Sequence, residues 1–80
     1  MEITILAFGI AKDILGGRQI KLPVDESATV GFIKTLLTEQ YPDFAKLNSL
    51  KLAVNQNYVD DEATVKDRDE IAIIPPVSGG

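Results

Sequence analysis

The chain has 80 residues, a formal net charge of −4, and neither cysteine nor histidine. The missing residue types exclude disulfides, thiol nucleophiles, histidine bases and metal sites built on either side chain. The negative charge argues against a nucleic-acid partner or an anionic membrane surface, because both select basic patches. No apolar run approaches the roughly 18 residues of a membrane span, and residues 1–9 lack the basic start of a signal peptide, so we expect one domain in the cytosol.

Alternating apolar residues predict a first strand over residues 2–9. The two faces of this strand carry Ile3, Ile5 and Ala7 on one side and Thr4, Leu6 and Phe8 on the other. Residues 11–18 predict a connection whose turn is Gly16-Gly17, and residues 18–24 predict a second strand with Ile20 and Leu22 inward. We expect these two strands to form a hairpin, with polar residues such as Thr4 on its solvated face.

Residues 25–42 predict the main helix. Ser27 or Thr29 can cap its start, and Pro42 ends it, because proline cannot continue the helical hydrogen bonds. Its apolar stripe consists of Val30, Ile33, Leu37 and Tyr41, widened by Phe32 and Leu36. One further helical turn can follow in residues 43–51.

The rest of the sequence, over residues 52–76, predicts three more strands and a polar connection. Residues 52–60 suggest a strand, a turn at 55–57 and a short strand, while residues 61–70 form the connection with Val65 inward. Residues 70–76 predict the last strand, with Ile71 and Ile73 on one face and Ala72 and Ile74 on the other. The order favours an α+β, ubiquitin-like β-grasp domain over residues 1–80, in which a mixed sheet packs on one main helix and residues 75–80 form an extended, flexible tail.

The sequence contains no recognisable catalytic constellation. Gly16-Gly17 lacks the lysine and hydroxyl residues of a phosphate loop, so we interpret it as a turn. The acidic groups at 60–62 and 67–70 lack the calcium-loop pattern and are interpreted as solvated turn residues. We therefore expect no bound cofactor or metal, and a chain that is not an enzyme on its own.

Strand parity predicts an apolar patch on the outer face of the sheet. If the isoleucines of the first and last strands face the helix, then four apolar residues face away from it, namely Leu6, Phe8, Ala72 and Ile74. A half-solvated sheet normally carries polar residues there. Either a loop covers this patch or it binds a partner protein.

The last eight residues, IIPPVSGG, join a core strand to a stiff Pro75-Pro76 spacer and two terminal glycines. Consecutive prolines favour an extended path of about 3.1 Å per residue, so six residues can reach roughly 18 Å from the sheet. Glycine lacks a side chain, so the last two residues can enter a channel no wider than a backbone.

The segments ITILAFG, TVGFIKTL, LAVNQNYV and DRDEIAIIPPVSGG together resemble the small subunit of molybdopterin synthase, a β-grasp sulfur carrier. The resemblance spans essentially the whole chain, and AVNQ combined with PPVSGG is its most specific part. One departure is Arg68, which stands where family members often carry glycine in an Asp-Gly-Asp turn.

The resemblance implies that an activating enzyme adenylates the Gly80 carboxylate with ATP and that a sulfur donor converts it to a thiocarboxylate. The sulfur then passes to a cyclic pyranopterin precursor within a heterotetramer of two small and two large subunits. The tail that enters the large subunit comprises Pro75, Pro76, Val77, Ser78, Gly79 and Gly80. By motif match, the residues that dock on that subunit are Phe8, Tyr58 and Ile74, and Leu6 joins them by strand parity.

Three alternatives share the tail or the fold. A sulfur carrier for thiamine synthesis or tRNA thiolation carries the same two glycines, but usually not PPVSGG. A ubiquitin-like modifier would be attached through Gly80 to lysines of target proteins. A plain binding module would carry the tail incidentally, and no activating enzyme would adenylate it.

Overall fold

A computed structural model of the chain describes residues 1–46 and 50–74, so the predicted tail at 75–80 lies outside the described residues. Within them, the strands are β1 Glu2–Ala7, β2 Gln19–Pro23, β3 Lys51–Val54, β4 Asn57–Tyr58 and β5 Glu70–Ile74. The helices of the same residues are α1 Gly9–Leu15, α2 Val30–Gln40 and a 3₁₀ helix, Pro42–Lys46, which is the further turn expected after α2.

The five described strands form one mixed sheet in the order β2-β1-β5-β3-β4. The central strands β1 and β5 run parallel, while the other neighbours are antiparallel. The first and last strands carry apolar residues on both faces, although α2 covers only one face of the sheet. The predicted β-grasp arrangement, with the first and last strands adjacent, is confirmed.

The connection between β1 and β2 is a helix, where the sequence predicted a loop. β1 ends at Ala7 rather than at residue 9, and Phe8 is the extended N-cap residue of α1. Ala11 and Leu15 of this helix are buried in the core. Gly16 ends it in the left-handed conformation, at a φ of 79°. A seven-residue segment is too short to show a clear helical pattern in the sequence. A helix of this length is stabilised by packing, here against the sheet.

The main helix is shorter than predicted, since it covers Val30–Gln40 rather than residues 25–42, but one of its two candidate caps is confirmed. Of the two candidates, Thr29 is the cap, and its side chain accepts a hydrogen bond from the Phe32 N–H at 3.1 Å. Gly31 in the first turn lets the loop before Val65 approach closely. Its N–H donates to the Asp61 carbonyl at 2.8 Å, and a Cβ at this position would lie 3.2 Å from that oxygen.

The core lies between the sheet and α2. Its largest fully buried side chains are Ile3, Ile5, Ile33, Leu37, Leu52, Ile71, Ile73 and Val30. Val65 is buried among them, as predicted, whereas Tyr41 at the end of the helical stripe is only half-buried. The predicted helix-facing sides of the first and last strands are therefore confirmed.

The β3–β4 turn consists of Asn55 and Gln56, whose φ angles are 49° and 75°. Two successive positive φ angles are typical of the type I′ turn that matches the twist of a two-residue hairpin. Asparagine tolerates this region better than most residues. Asn57, which the sequence placed in the turn, already begins β4.

Candidate docking surface

One row of directly paired residues crosses the sheet on the face away from α2. In sheet order, the row consists of Gln19, Leu6, Ala72, Ala53 and Tyr58. Directly paired residues of neighbouring strands point to the same side of a sheet. The register therefore places Leu6 and Tyr58 on one surface, although they are far apart in the sequence.

Phe8 and Ile74 lie at one end of this surface. The parallel register pairs Ala7 with Ile73, so the residues that follow them lie at the same end of β1 and β5. Phe8 keeps an extended backbone, with φ −135° and ψ 155°, so side-chain alternation continues from Leu6 through this residue. We call Leu6, Phe8, Tyr58 and Ile74, together with Ala53 and Ala72, the outer patch.

The four large side chains of the outer patch are accessible in the described structure. The side chains of Phe8 and Tyr58 are 58% and 69% exposed, and Leu6 and Ile74 are half-buried. No described loop buries these four residues, which argues against the alternative of a covered patch. An exposed cluster of large apolar side chains on one face is typical of a protein-binding surface.

The opposite end of the same face is polar. There Thr4 lies in β1 between its paired neighbours Lys21 and Glu70. The prediction that Thr4 is solvated is wrong, because it is only 8% exposed. A short side chain in a central strand is shielded by longer side chains on both sides. The face therefore changes from polar to largely apolar towards Ile74, the residue that precedes the predicted tail, although the exposed Lys51 is paired with Ile74 on the same face.

Among the described residues, two other large apolar side chains are exposed outside the outer patch. Ile10 of α1 is 51% exposed and Phe32 of α2 is 48% exposed. Phe32 lies on the helix that covers the opposite face of the sheet, so it cannot extend the outer patch. The sequence had assigned Phe32 to the apolar stripe of the helix and had not singled out Ile10.

A groove of about 590 Å³ borders Tyr58 at the β4 edge. Its lining is Lys34, Lys51, Leu52, Tyr58, Val59, Asp60, Asp61 and Glu62. Lys34 and Asp61 form an ion pair across it, with Nζ 2.6 Å from Oδ1. The lining therefore carries three carboxylates, two ammonium groups and one aromatic side chain, and it contains no nucleophile–base pair.

The acidic residues near β5 form turns, as predicted from the sequence. Asp67 accepts a hydrogen bond from the Glu2 N–H at 2.9 Å, and Asp69 accepts one from the Lys66 N–H at 2.8 Å. Among residues 1–46 and 50–74, no group of three or more acidic side chains could hold a metal ion. No helix in those ranges is long and apolar enough to cross a membrane.

Sequence reasoning missed two residues that shape this surface. Ala53 was placed in a strand but was not assigned to either face of the sheet. The alternation of residues 51–54 could have assigned it to the face opposite Leu52. Asn55 was recognised only as a turn residue. Its side chain also bonds to Asp69 and to the Glu70 N–H, and so fixes the β3–β4 hairpin beside β5.

Comparisons with known proteins agree with this geometry. The ThiS family model matches residues 5–80. A molybdopterin synthase sulfur carrier subunit from Dictyostelium discoideum is 42% identical over 99% of this chain and 96% of its own length. The solution structure of small archaeal modifier protein 1 from Methanosarcina acetivorans covers 99% of this chain and 96% of its own, with 26% identity and a TM-score of 0.81.

The same fold occurs in a solved two-subunit assembly. It is the complex of subunits 1 and 2 of molybdopterin-converting factor from Helicobacter pylori. The matching chain is covered completely, as is this one, with 23% identity and a TM-score of 0.70.

Proposed function

The chain belongs to the ThiS family, and on that premise we propose that it serves as the sulfur-carrier subunit of molybdopterin synthase. The observation that carries the proposal is the position of β5. This central strand borders the outer patch and leads directly into the sequence PPVSGG, the part of the chain most specific to such carriers. The full-length similarity to a curated carrier subunit supports the same function.

The first chemical step activates the terminal carboxylate of Gly80. A carboxylate is ionised at neutral pH and resists nucleophilic attack, so a partner enzyme first joins it to AMP from ATP and releases pyrophosphate. Sulfur at the oxidation level of sulfide then attacks the carbonyl carbon. The C–S bond forms, the bond to AMP breaks, and Gly80 becomes a thiocarboxylate.

The second step transfers this sulfur within the synthase. The thiocarboxylate sulfur is a good nucleophile. It attacks a carbon of the cyclic pyranopterin precursor and displaces an oxygen substituent there, so that a C–S bond replaces a C–O bond. Water then hydrolyses the resulting acyl–sulfur bond, which leaves the sulfur on the pterin and restores the Gly80 carboxylate. Two such transfers build the dithiolene. The catalytic groups of both steps belong to the partners, so this chain acts as a co-substrate.

The outer patch supplies the recognition that the tail lacks. Phe8, Tyr58, Ile74 and Leu6 would dock on the large subunit, while Gly79 and Gly80 enter its pocket. Exposed aromatic side chains are frequent anchors of such interfaces, because they bury large areas on binding. Two small and two large subunits would form the complete heterotetramer.

Intact-mass analysis tests both steps. The purified chain is incubated with the activating enzyme, ATP and sulfide, and we expect the mass gain of one oxygen replaced by sulfur. Adding the large subunit and the pyranopterin precursor should remove that gain and produce molybdopterin. If the chain acquires sulfur but neither binds the large subunit nor yields product, it serves another sulfur pathway.

The likeness to small archaeal modifier protein 1 favours one second candidate, a protein modifier. Its activation would also begin with adenylation of Gly80, but a lysine amine of a target would then displace AMP. The carrier and the modifier can be distinguished by recovering an affinity-tagged form of the chain from the organism that produces it. Covalent adducts through Gly80 would support the modifier, whereas a free thiocarboxylate supports the carrier.

A further inference from the structure

The middle of the outer patch carries only small side chains, and we call this position the notch. Ala72 of β5 and Ala53 of β3 are directly paired, and they lie between Leu6 of β1 and Tyr58 of β4 in the same row. Ala53 is 6% exposed and Ala72 is half-buried. Two methyl groups thus lie at the bottom of the notch, between the half-buried Leu6 and Tyr58, whose side chain is 69% exposed.

The dimensions suit one inserted side chain. Neighbouring strands lie about 4.8 Å apart, so three strand spacings put roughly 14 Å between the backbones beneath Leu6 and Tyr58. The walls take part of that width, which leaves space between them for a single branched or aromatic side chain. The paired floor residues carry no polar side-chain atom, so the notch favours an apolar occupant.

The fold itself gives no reason for alanine at these positions. Central strands are usually rich in β-branched or aromatic residues, which stabilise a sheet by cross-strand packing. An Ala–Ala pair forgoes that packing in the part of the sheet beside the predicted tail. A surface that a partner completes would account for the small residues, because the missing volume is then supplied from outside.

We propose that this notch receives one apolar side chain of the large subunit, and that the small size of Ala72 determines which partner fits. The proposal rests on the proposed function, since it assigns the centre of the same docking surface. Phe8 and Ile74 continue that surface on one side of the notch. Thr4 and its polar neighbours bound it on the other, which orients the partner.

The test varies the volume at position 72 while keeping the fold. Ala72→Leu fills the notch, and Ala72→Ser keeps its volume. Ala45→Leu is the matched control, because Ala45 is exposed on the 3₁₀ helix, outside the outer patch. Ala72→Val serves as a second filling variant that suits a strand, should the leucine variant fail to fold. Thermal unfolding confirms the fold of each.

Calorimetric titration with the large subunit gives the readout. We expect Ala72→Leu to raise Kd by roughly tenfold or more, as overpacking of a well-fitted site does, and Ala72→Val to raise it less. Ala72→Ser and Ala45→Leu should stay within about threefold of the wild type, which is the range expected when no packed volume changes.

Each remaining outcome overturns a specific statement. If Ala72→Leu and Ala72→Val fold and bind the large subunit with unchanged affinity, the proposed role of the notch is overturned, while the proposed function stays in place. An equal loss for Ala72→Ser also overturns it, since side-chain volume would then not be the cause. If the wild type itself does not bind the large subunit, the proposed function fails, and the notch with it. If the filling variants change the unfolding midpoint but not Kd, then a segment of this chain occupies the notch, and the proposal is overturned.

Discussion

The side-chain amide nitrogen of Asn55 lies 3.0 Å from a carboxylate oxygen of Asp69, which ties the β3–β4 turn to the residues before β5. The amide oxygen of Asn55 accepts the Glu70 N–H at 3.0 Å, and its own N–H donates to the Glu70 carbonyl at 2.8 Å. One residue thus holds the hairpin that carries Tyr58 against the strand that leads to the predicted tail.

This relationship predicts different costs for two substitutions of Asn55. Asn55→Ala loses both side-chain hydrogen bonds. It also places alanine at a φ of 49°, in the left-handed region that asparagine tolerates better because its side chain can hydrogen-bond locally. We expect a loss of about 2 kcal/mol in the free energy of unfolding. Asn55→Gly loses the same bonds but not the backbone preference, so about 1 kcal/mol is expected. Urea unfolding measures both, and equal losses would show that the left-handed conformation is not strained.

The backbone conformation of Arg68 predicts that its replacement by glycine is stabilising. Its φ of 69° lies in the left-handed region, which disfavours arginine but not glycine, while its backbone N–H donates to the Glu2 carbonyl at 2.8 Å. Arg68→Gly keeps that bond and relieves the backbone, so we expect a gain of about 1 kcal/mol. Gly16→Ala, at a φ of 79°, is the converse control and should lose about the same amount. A lower unfolding free energy for Arg68→Gly would contradict the backbone argument.

The outer patch predicts loss of binding without loss of fold. A buried, unpaired carboxylate at an interface costs several kcal/mol, so Phe8→Asp and Ile74→Asp should weaken binding to the large subunit by at least about a hundredfold. Aspartate suits position 8 locally, since Phe8 is the N-cap of α1 and makes no side-chain cap bond.

Phe32→Asp is the matched control for these variants. It removes an aromatic side chain of similar exposure from the opposite side of the molecule, so it should leave the affinity unchanged. Calorimetric titration of all three variants decides the matter. Equal losses for Phe32→Asp and Phe8→Asp would mean that the effect reflects net charge rather than the outer patch.

Core truncations test the two faces of β1. Ile5→Ala and Ile73→Ala remove fully buried side chains and should each cost about 2–5 kcal/mol. Thr4 is nearly buried on the other face, so Thr4→Ala should cost about 1 kcal/mol through loss of its buried methyl group, a larger effect than a solvated threonine would give. Chemical unfolding ranks the three variants. A greater loss for Thr4→Ala than for Ile5→Ala would reverse the assigned faces.

The predicted tail can be tested separately from the fold. One residue added after Gly80 moves the reacting carboxylate, and misplacement by about 1 Å can cost on the order of a hundredfold in rate. Gly79→Val puts a branched side chain where the channel should admit only backbone. We expect both variants to lose thiocarboxylate formation, measured by intact mass, while their melting curves match the wild type. Sulfur acquisition by the extended chain at the wild-type rate would show that the terminal carboxylate is not the reacting group.

The sequence alone determined the features that repeat locally. Alternation assigned Ile5 and Ile73 to the core and Leu6 and Ile74 to the other side, because successive residues of a strand point to opposite faces. The apolar stripe of Val30, Ile33 and Leu37 predicted α2, because residues three and four apart share one face of a helix, and Thr29 was one of its two candidate caps. The family was also identifiable from the sequence, since PPVSGG and AVNQ are contiguous segments.

Only the tertiary structure decided which residues meet. Tyr58 joins Leu6 through three strand pairings, and no local pattern encodes the register of strands that are distant in the chain. The helix between β1 and β2 forms because the sheet buries Ala11, and seven residues alone could not stabilise it. Thr4 is buried because its cross-strand neighbours cover it, and those neighbours are chosen by the fold rather than by the adjacent sequence.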